Sequence, residues 1–175
     1  MKNDKRNKII VMSIMSYYAK QIFDETKPYE FRKSPLRRED LDKKIYVYSA
    51  KEDKAIIGYM KVSDILHGNT QEILRKTGYD KRKDGHEIID YYGLHNNNCY
   101  ALKLYDVTEF EEYLKLKDLR KLNPSVNLPQ YYSYINQENP LYELITEWDK
   151  CYSLDGQEKQ NPAKVRELLK NGRRR

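Results

Sequence analysis

A mixed α+β fold, a small and partly closed β-barrel with helices at its side, is what the 175-residue sequence predicts. Three observations lead there. At least five strand-like runs alternate with helical segments, and two of those runs are joined by a turn short enough for a hairpin. The chain also carries 17 Tyr, 3 Phe and 1 Trp, enough aromatic area to build a core although charged residues make up 34% and mean hydropathy is -0.97. A disordered chain lacks that aromatic content.

Residues 9–15, IIVMSIM, form an apolar run suited to a buried strand. Ser16 stands where an N-cap belongs, and Ala19, Ile22 and Phe23 share one helical face. Pro28 disfavours helix at the residue before it, so this helix ends near Asp24–Thr26. Tyr29-Glu30-Phe31-Arg32 alternates aromatic and charged residues, the pattern of a half-buried strand. After a charged loop, the runs Lys44–Ala50 and Ala55–Ile65 read as a hairpin around KEDK. Two short helices follow. Asn69 and Glu72 have capping-box spacing with Gly78 as the stop, and Asp84 and Glu87 repeat the arrangement before Gly93. Another strand starts after the three asparagines at 96–98, and Glu109–Leu122 is mixed, its later part a short helix ended by Pro124. Asn139-Pro140 opens a helix striped with Leu141, Leu144, Ile145, Trp148 and Tyr152, a face that must pack on something. Asn161-Pro162 opens a last one with Val165, Leu168 and Leu169 on one side.

The net charge of +6 sits at the ends. Residues 1–8 carry +3 and residues 159–175 carry +6, which leaves −3 for residues 9–158. The tail, ending in Arg173, Arg174 and Arg175, reads as a polyanion contact or as a solubilising end. No stretch reaches the roughly 18 apolar residues of a membrane span, and Ile9–Met12 is too short for the apolar core of a signal peptide. The expectation is a soluble, cytoplasmic protein with no membrane partner. Cys99 and Cys151 make no disulfide framework and read as buried thiols. His67, His86 and His95 lack zinc-ligand spacing, so neither metal nor cofactor is expected.

The chemistry concentrates in Glu25–Lys33, ETKPYEFRK. On a strand, Glu30 and Arg32 point the same way, opposite to Tyr29 and Phe31, and Lys27 lies just ahead of them. An acceptor, a planar bidentate donor and a mobile ammonium at one edge suit a nucleobase or nucleotide. The same pattern also describes a surface strand whose charges pair across one face, worth little energy. In either case exposed or cleft-facing charges are expected to matter little for stability.

The segment resembles the GxKxxExR motif of the ASCH domain, a branch of the PUA-like superfamily, with Lys27, Glu30 and Arg32 on the motif positions. The context is similar too: Met12-Ser13-Ile14, then Tyr18, Ala19 and Ile22, KIYVYSA, the strand with Gly58, Tyr92-Gly93, Tyr100-Ala101 and Pro129-Gln130, over about residues 9–135. The resemblance implies a PUA-like β-barrel at 9–135, between a basic arm at 1–8 and a helical extension with its basic tail at 136–175. It implies a cleft lined by Lys27, Glu30 and Arg32, with Ser13, Tyr92 and Gln130 as further ligand residues. Relatives bind RNA or modified bases, so RNA or a modified nucleoside is the expected partner.

Some ASCH-like proteins are small amidohydrolases that rely on a Lys, a Thr where this chain has Glu30, and a further Glu, and at least one is a ribonuclease. Here the hydroxyl is missing, and Glu25 replaces the motif's leading Gly. That leans the reading away from an enzyme, with Lys27 as the residue to carry catalysis if any does. A Lys-, Asn-, Ile- and Tyr-heavy composition points to a low-GC bacterial or phage genome, where small folds also serve as protein-interaction or inhibitor modules. The acidic body fits a protein partner.

Overall fold

The computed structural model describes residues 7–128 and 131–172. Gln130, Pro129, Lys2, Lys5, Arg6 and the tail arginines Arg173–Arg175 lie outside the described residues. In chain order the elements are β1 (Lys8–Met15), α1 (Ser16–Phe23), β2 (Tyr29–Arg32), β3 (Ile45–Ala50), β4 (Ala55–Gly68), α2 (Thr70–Thr77), α3 (Gly85–Tyr92), β5 (Cys99–Lys115), α4 (Leu116–Leu122), β6 (Tyr132–Asn136), α5 (Pro140–Tyr152) and α6 (Ala163–Gly172). Short 3-10 turns sit at Arg38–Asp40 and Tyr79–Lys81. The fold is mixed α+β, with one sheet in the order β2-β5-β4-β3-β1-β6 and helices closing the chain. Among the described residues, no helix is long and apolar enough to cross a membrane.

The chain forms two compact units. Among the described residues, the first comprises those up to Phe23, Lys44–Met60 and those from Val107 onward. Within it β1 runs parallel to β3 (Ile10 opposite Ile45) and antiparallel to β6 (Ile10 opposite Tyr134). A strand paired on both sides and covered on both faces needs mostly apolar residues, and six consecutive residues of β1 are buried, Ser13 the one polar residue among them. Ile9, Val11, Tyr46, Phe110, Leu114, Leu141, Leu144, Ile145 and Trp148 share one core, so the stripe on α5 packs against the strands as its sequence requires.

Three expectations are corrected here, and one strand is added to those expected. Ser16 is not a cap for its own helix: its hydroxyl donates to the Ala50 carbonyl and accepts from Glu52 N at 3.2 Å, tying α1 to the β3–β4 turn. Asp84 occupies the N-cap position of α3 without capping it, because its carboxylate takes the Arg82 guanidinium at 2.8 Å instead. β5 continues to Lys115, through residues read as mixed, burying Thr108, Phe110 and Leu114 at even spacing. Tyr132–Asn136 is a sixth strand whose residues are mostly half-buried, and its partner β1 is more than a hundred residues earlier.

Gly58 marks the tightest approach in this unit. A Cβ there would lie 2.2 Å from the Thr108 carbonyl oxygen and 2.7 Å from Phe23 Cε1. Since one of those atoms is backbone and cannot swing away, Gly58→Ala is expected to cost about 1–3 kcal/mol or more by thermal melting. An unchanged melting temperature would mean β4 and β5 are not this close.

Candidate functional site

The second unit comprises Asp24–Lys43 and Lys61–Asp106, and it holds the motif. Its core is Phe31, Ile73, Leu74, Tyr79, Ile88, Tyr92, Cys99 and Ala101. The helices that supply it start and stop as local chemistry dictates. Asn69 and Glu72 form a complete capping box, and Gly78 (φ 77°) and Gly93 (φ 89°) supply the left-handed backbone that follows α2 and α3.

β2 pairs antiparallel with β5, Glu30 opposite Leu102 and Arg32 opposite Tyr100. With period-2 alternation, Phe31 enters the core, meeting Tyr79 edge-on at 4.9 Å and Tyr92 at 6.2 Å between ring centroids. The charged side of the same strand is also buried. Lys27, Glu30 and Arg32 are only 6%, 6% and 8% exposed. The Glu30 carboxylate bridges the two cations: Lys27 Nζ donates to Oε2 at 2.9 Å, and Arg32 Nε lies 3.0 Å from Oε1. Lys27 Nζ also donates to the Tyr29 carbonyl at 2.7 Å and lies 4.9 Å from the Phe31 ring centroid.

The cluster is therefore no exposed ladder, and the exposure on which the expectation of small stability effects rests is not found. Removing one member would leave buried, uncompensated charge.

The backbone around the motif is equally specific. Glu25, which stands at the motif's glycine position, adopts φ 58°. The turn therefore keeps a left-handed geometry that glycine would supply without strain. Arg82 donates to the Thr26 carbonyl at 3.2 and 3.3 Å and stacks over Tyr79 at 4.2 Å, binding this turn to the start of α3. Its hydrogen bonds to Asp84 hold that carboxyl below the usual carboxylate range. Tyr92 accepts from Arg32 N at 3.1 Å and donates to the Tyr100 carbonyl, so its phenol acts on the motif strand through backbone. Burial pushes that phenol upward, and burial likewise raises the Cys99 thiol.

The structure brings Lys27, Glu30, Arg32 and Tyr92 together in this unit. Ser13 lies in the first unit, where its backbone N–H donates to the Tyr131 carbonyl at 2.8 Å. Sequence reasoning missed Asp40, fully buried and held by Lys43 at 2.9 Å, and Tyr79. Asp40 lies in a charged loop where nothing singles it out. Tyr79, directly after the helix-stop Gly78, is 2% exposed, and its hydroxyl has no hydrogen-bond partner among the described residues.

Tyr79 yields a signed expectation. Burial first of all, with nearby Asp84 and Glu30, lifts its phenol to about 12 against the lowering effect of Arg82. The unfolded tyrosine gives up its proton near 10, so between pH 10 and 12 the unfolded chain holds fewer protons and stability falls, by up to ~1.4 kcal/mol per pH unit. Tyr79→Phe should remove this contribution and raise stability at pH 7 by about 1 kcal/mol, because an unpartnered buried hydroxyl is lost. Denaturant melts of both proteins at pH 7, 10 and 11 check it. Equal stability with an unchanged alkaline slope would refute it.

No family model and no curated protein matches the chain. Solved structures do. The ASCH protein of Zymomonas mobilis superposes with a TM-score of 0.67 at 22% identity, over 78% of this chain and 93% of that one. A mutant of the same protein gives 0.68 at 22% identity, over 80% and 98%. The N-terminal domain of Staphylothermus marinus McrB gives 0.51 at 19% identity, over 78% and 95%. The chain has an ASCH-domain fold.

Proposed function

We propose that this ASCH-fold chain is a binding module for RNA or a modified nucleobase, and that Lys27, Glu30 and Arg32 recognise the ligand. The observation that carries the reading is the burial of three charges from one strand and the residues just before it. Buried ion clusters seldom stabilise a fold more than apolar residues of the same size would, so a cluster of this kind is explained best by recognition. The three residues also match the ASCH motif. A fixed carboxylate can accept from an exocyclic amine or a ring N–H, the guanidinium can meet a carbonyl or phosphate, and the ammonium a phosphate. Lys27 directs two of its three donors to Glu30 and the Tyr29 carbonyl, which suits an anchoring cation more than an attacking amine. This favours binding over the hydrolase reading.

The test is a titration of the full chain with single-stranded RNA and with cytidine, its acetylated and methylated forms, and the other nucleosides. Arg32→Lys keeps the charge and loses the bidentate fork, so affinity should fall by about 1–3 kcal/mol in a variant shown to be folded by circular dichroism. No binding to any of these ligands, or unaltered affinity in Arg32→Lys, would end the nucleic-acid reading. The −3 charge of residues 9–158 would then favour the second reading, a module that docks on a basic protein.

A further inference from the structure

The last turn of α5 and the residues after it line a pocket of about 90 Å³, all of whose lining residues belong to the first unit. That is room for several waters or for one small organic headgroup. Asp149 and Ser153 line it, and each is only 6% exposed. Asp149 Oδ2 accepts from Lys44 Nζ and from the Tyr46 hydroxyl, both at 2.8 Å. Its Oδ1 atom and the Ser153 hydroxyl are buried without a hydrogen-bond partner among the described residues. A buried carboxylate oxygen without a donor is costly, so water in the pocket or a ligand must meet it.

The unmet groups define the ligand. Both residues stand at the C-terminal end of α5, where the peptide dipoles gather negative charge. Asp155 and Glu158 also line the pocket, and neither has an ammonium partner among the described residues. The lysines around the rim are already engaged: Lys44 with Asp149, Lys150 with Glu147, and Lys159 with Glu111. An anion would face carboxylates here. No group of three or more His, Cys, Asp or Glu among the described residues is placed to hold a metal ion. We infer that this pocket binds a small organic cation bearing N–H donors, a primary alkylammonium that donates to Asp149 Oδ1 and Ser153 Oγ. A free diamine and a lysine side chain share that headgroup.

Nitrogen-15-labelled full-length protein titrated with 1,4-diaminobutane, with N-acetyl-lysine methylamide and with tetramethylammonium tests this. Saturable amide shifts confined to residues around 149–160 are expected with a primary ammonium, and none with tetramethylammonium, which has charge but no donor. A response to the diamine alone assigns a free diamine, and a response to the lysine derivative assigns a side chain. Ser153→Ala removes one hydrogen bond and leaves Lys44, Tyr46 and Asp149 in place, so binding should weaken by about tenfold. Glu158→Gln, at an exposed position, should weaken it less. The absence of a saturable response to both ammonium compounds, an equal response to tetramethylammonium, or unaltered affinity in Ser153→Ala would each overturn the assignment.

Discussion

Glu30→Ala should destabilise the protein by about 3–5 kcal/mol, because it leaves Lys27 and Arg32 buried with no carboxylate between them. Against the roughly 5–15 kcal/mol that holds a typical domain folded, that is a large fraction. Urea unfolding of the full chain measures it. The informative companion is the triple variant Lys27→Met, Glu30→Leu and Arg32→Met. With all three charges gone no buried charge lacks its counterpart, although the Tyr29 carbonyl loses the Lys27 donor, and apolar side chains of similar volume should recover most of the lost stability. Stability would return while any nucleoside or RNA affinity of the wild type would not. A stable Glu30→Ala protein would show that the cluster opens to water in solution. A triple variant no more stable than Glu30→Ala would make the cluster a structural requirement of the strand.

Trp148→Ala should cost about 3–5 kcal/mol, the second large effect. The indole is buried in the core that α5 shares with β1, β3 and β5, and its Nε1 donates to the Glu112 carbonyl at 2.7 Å. Truncation to alanine opens a cavity and strips that carbonyl of its donor. Ending the chain after Gln137 goes further, since Leu141, Leu144 and Ile145 leave the same core, each worth roughly 1.5–3 kcal/mol. The shortened chain should fail to show a cooperative melt. An unchanged melting temperature in either variant would make α5 an appendage rather than part of this core.

The order of elements could be read from the chain alone because the signals are local. Asn69 and Glu72 cap α2 from three residues apart, Asn139-Pro140 opens α5, and Gly78 and Gly93 stop their helices by adopting φ values that other residues resist. The motif's common face followed from the two-residue period of a strand. β6 was not legible, because its half-buried residues show no clean alternation and become a strand only by pairing with β1. Asp84 had the spacing of a cap, but Arg82 was nearer to hand for its carboxylate.

The sequence by itself determined the α+β class, most helix and strand positions, and the grouping of Glu30 with Arg32 on one face behind Lys27. Tertiary structure alone decided which charges go underground. Lys44 and Asp149 are 105 positions apart, and Tyr92 reaches Arg32 across 60. The cost of burying a charge depends on what surrounds it, and that surrounding is assembled from chain segments that no local pattern relates.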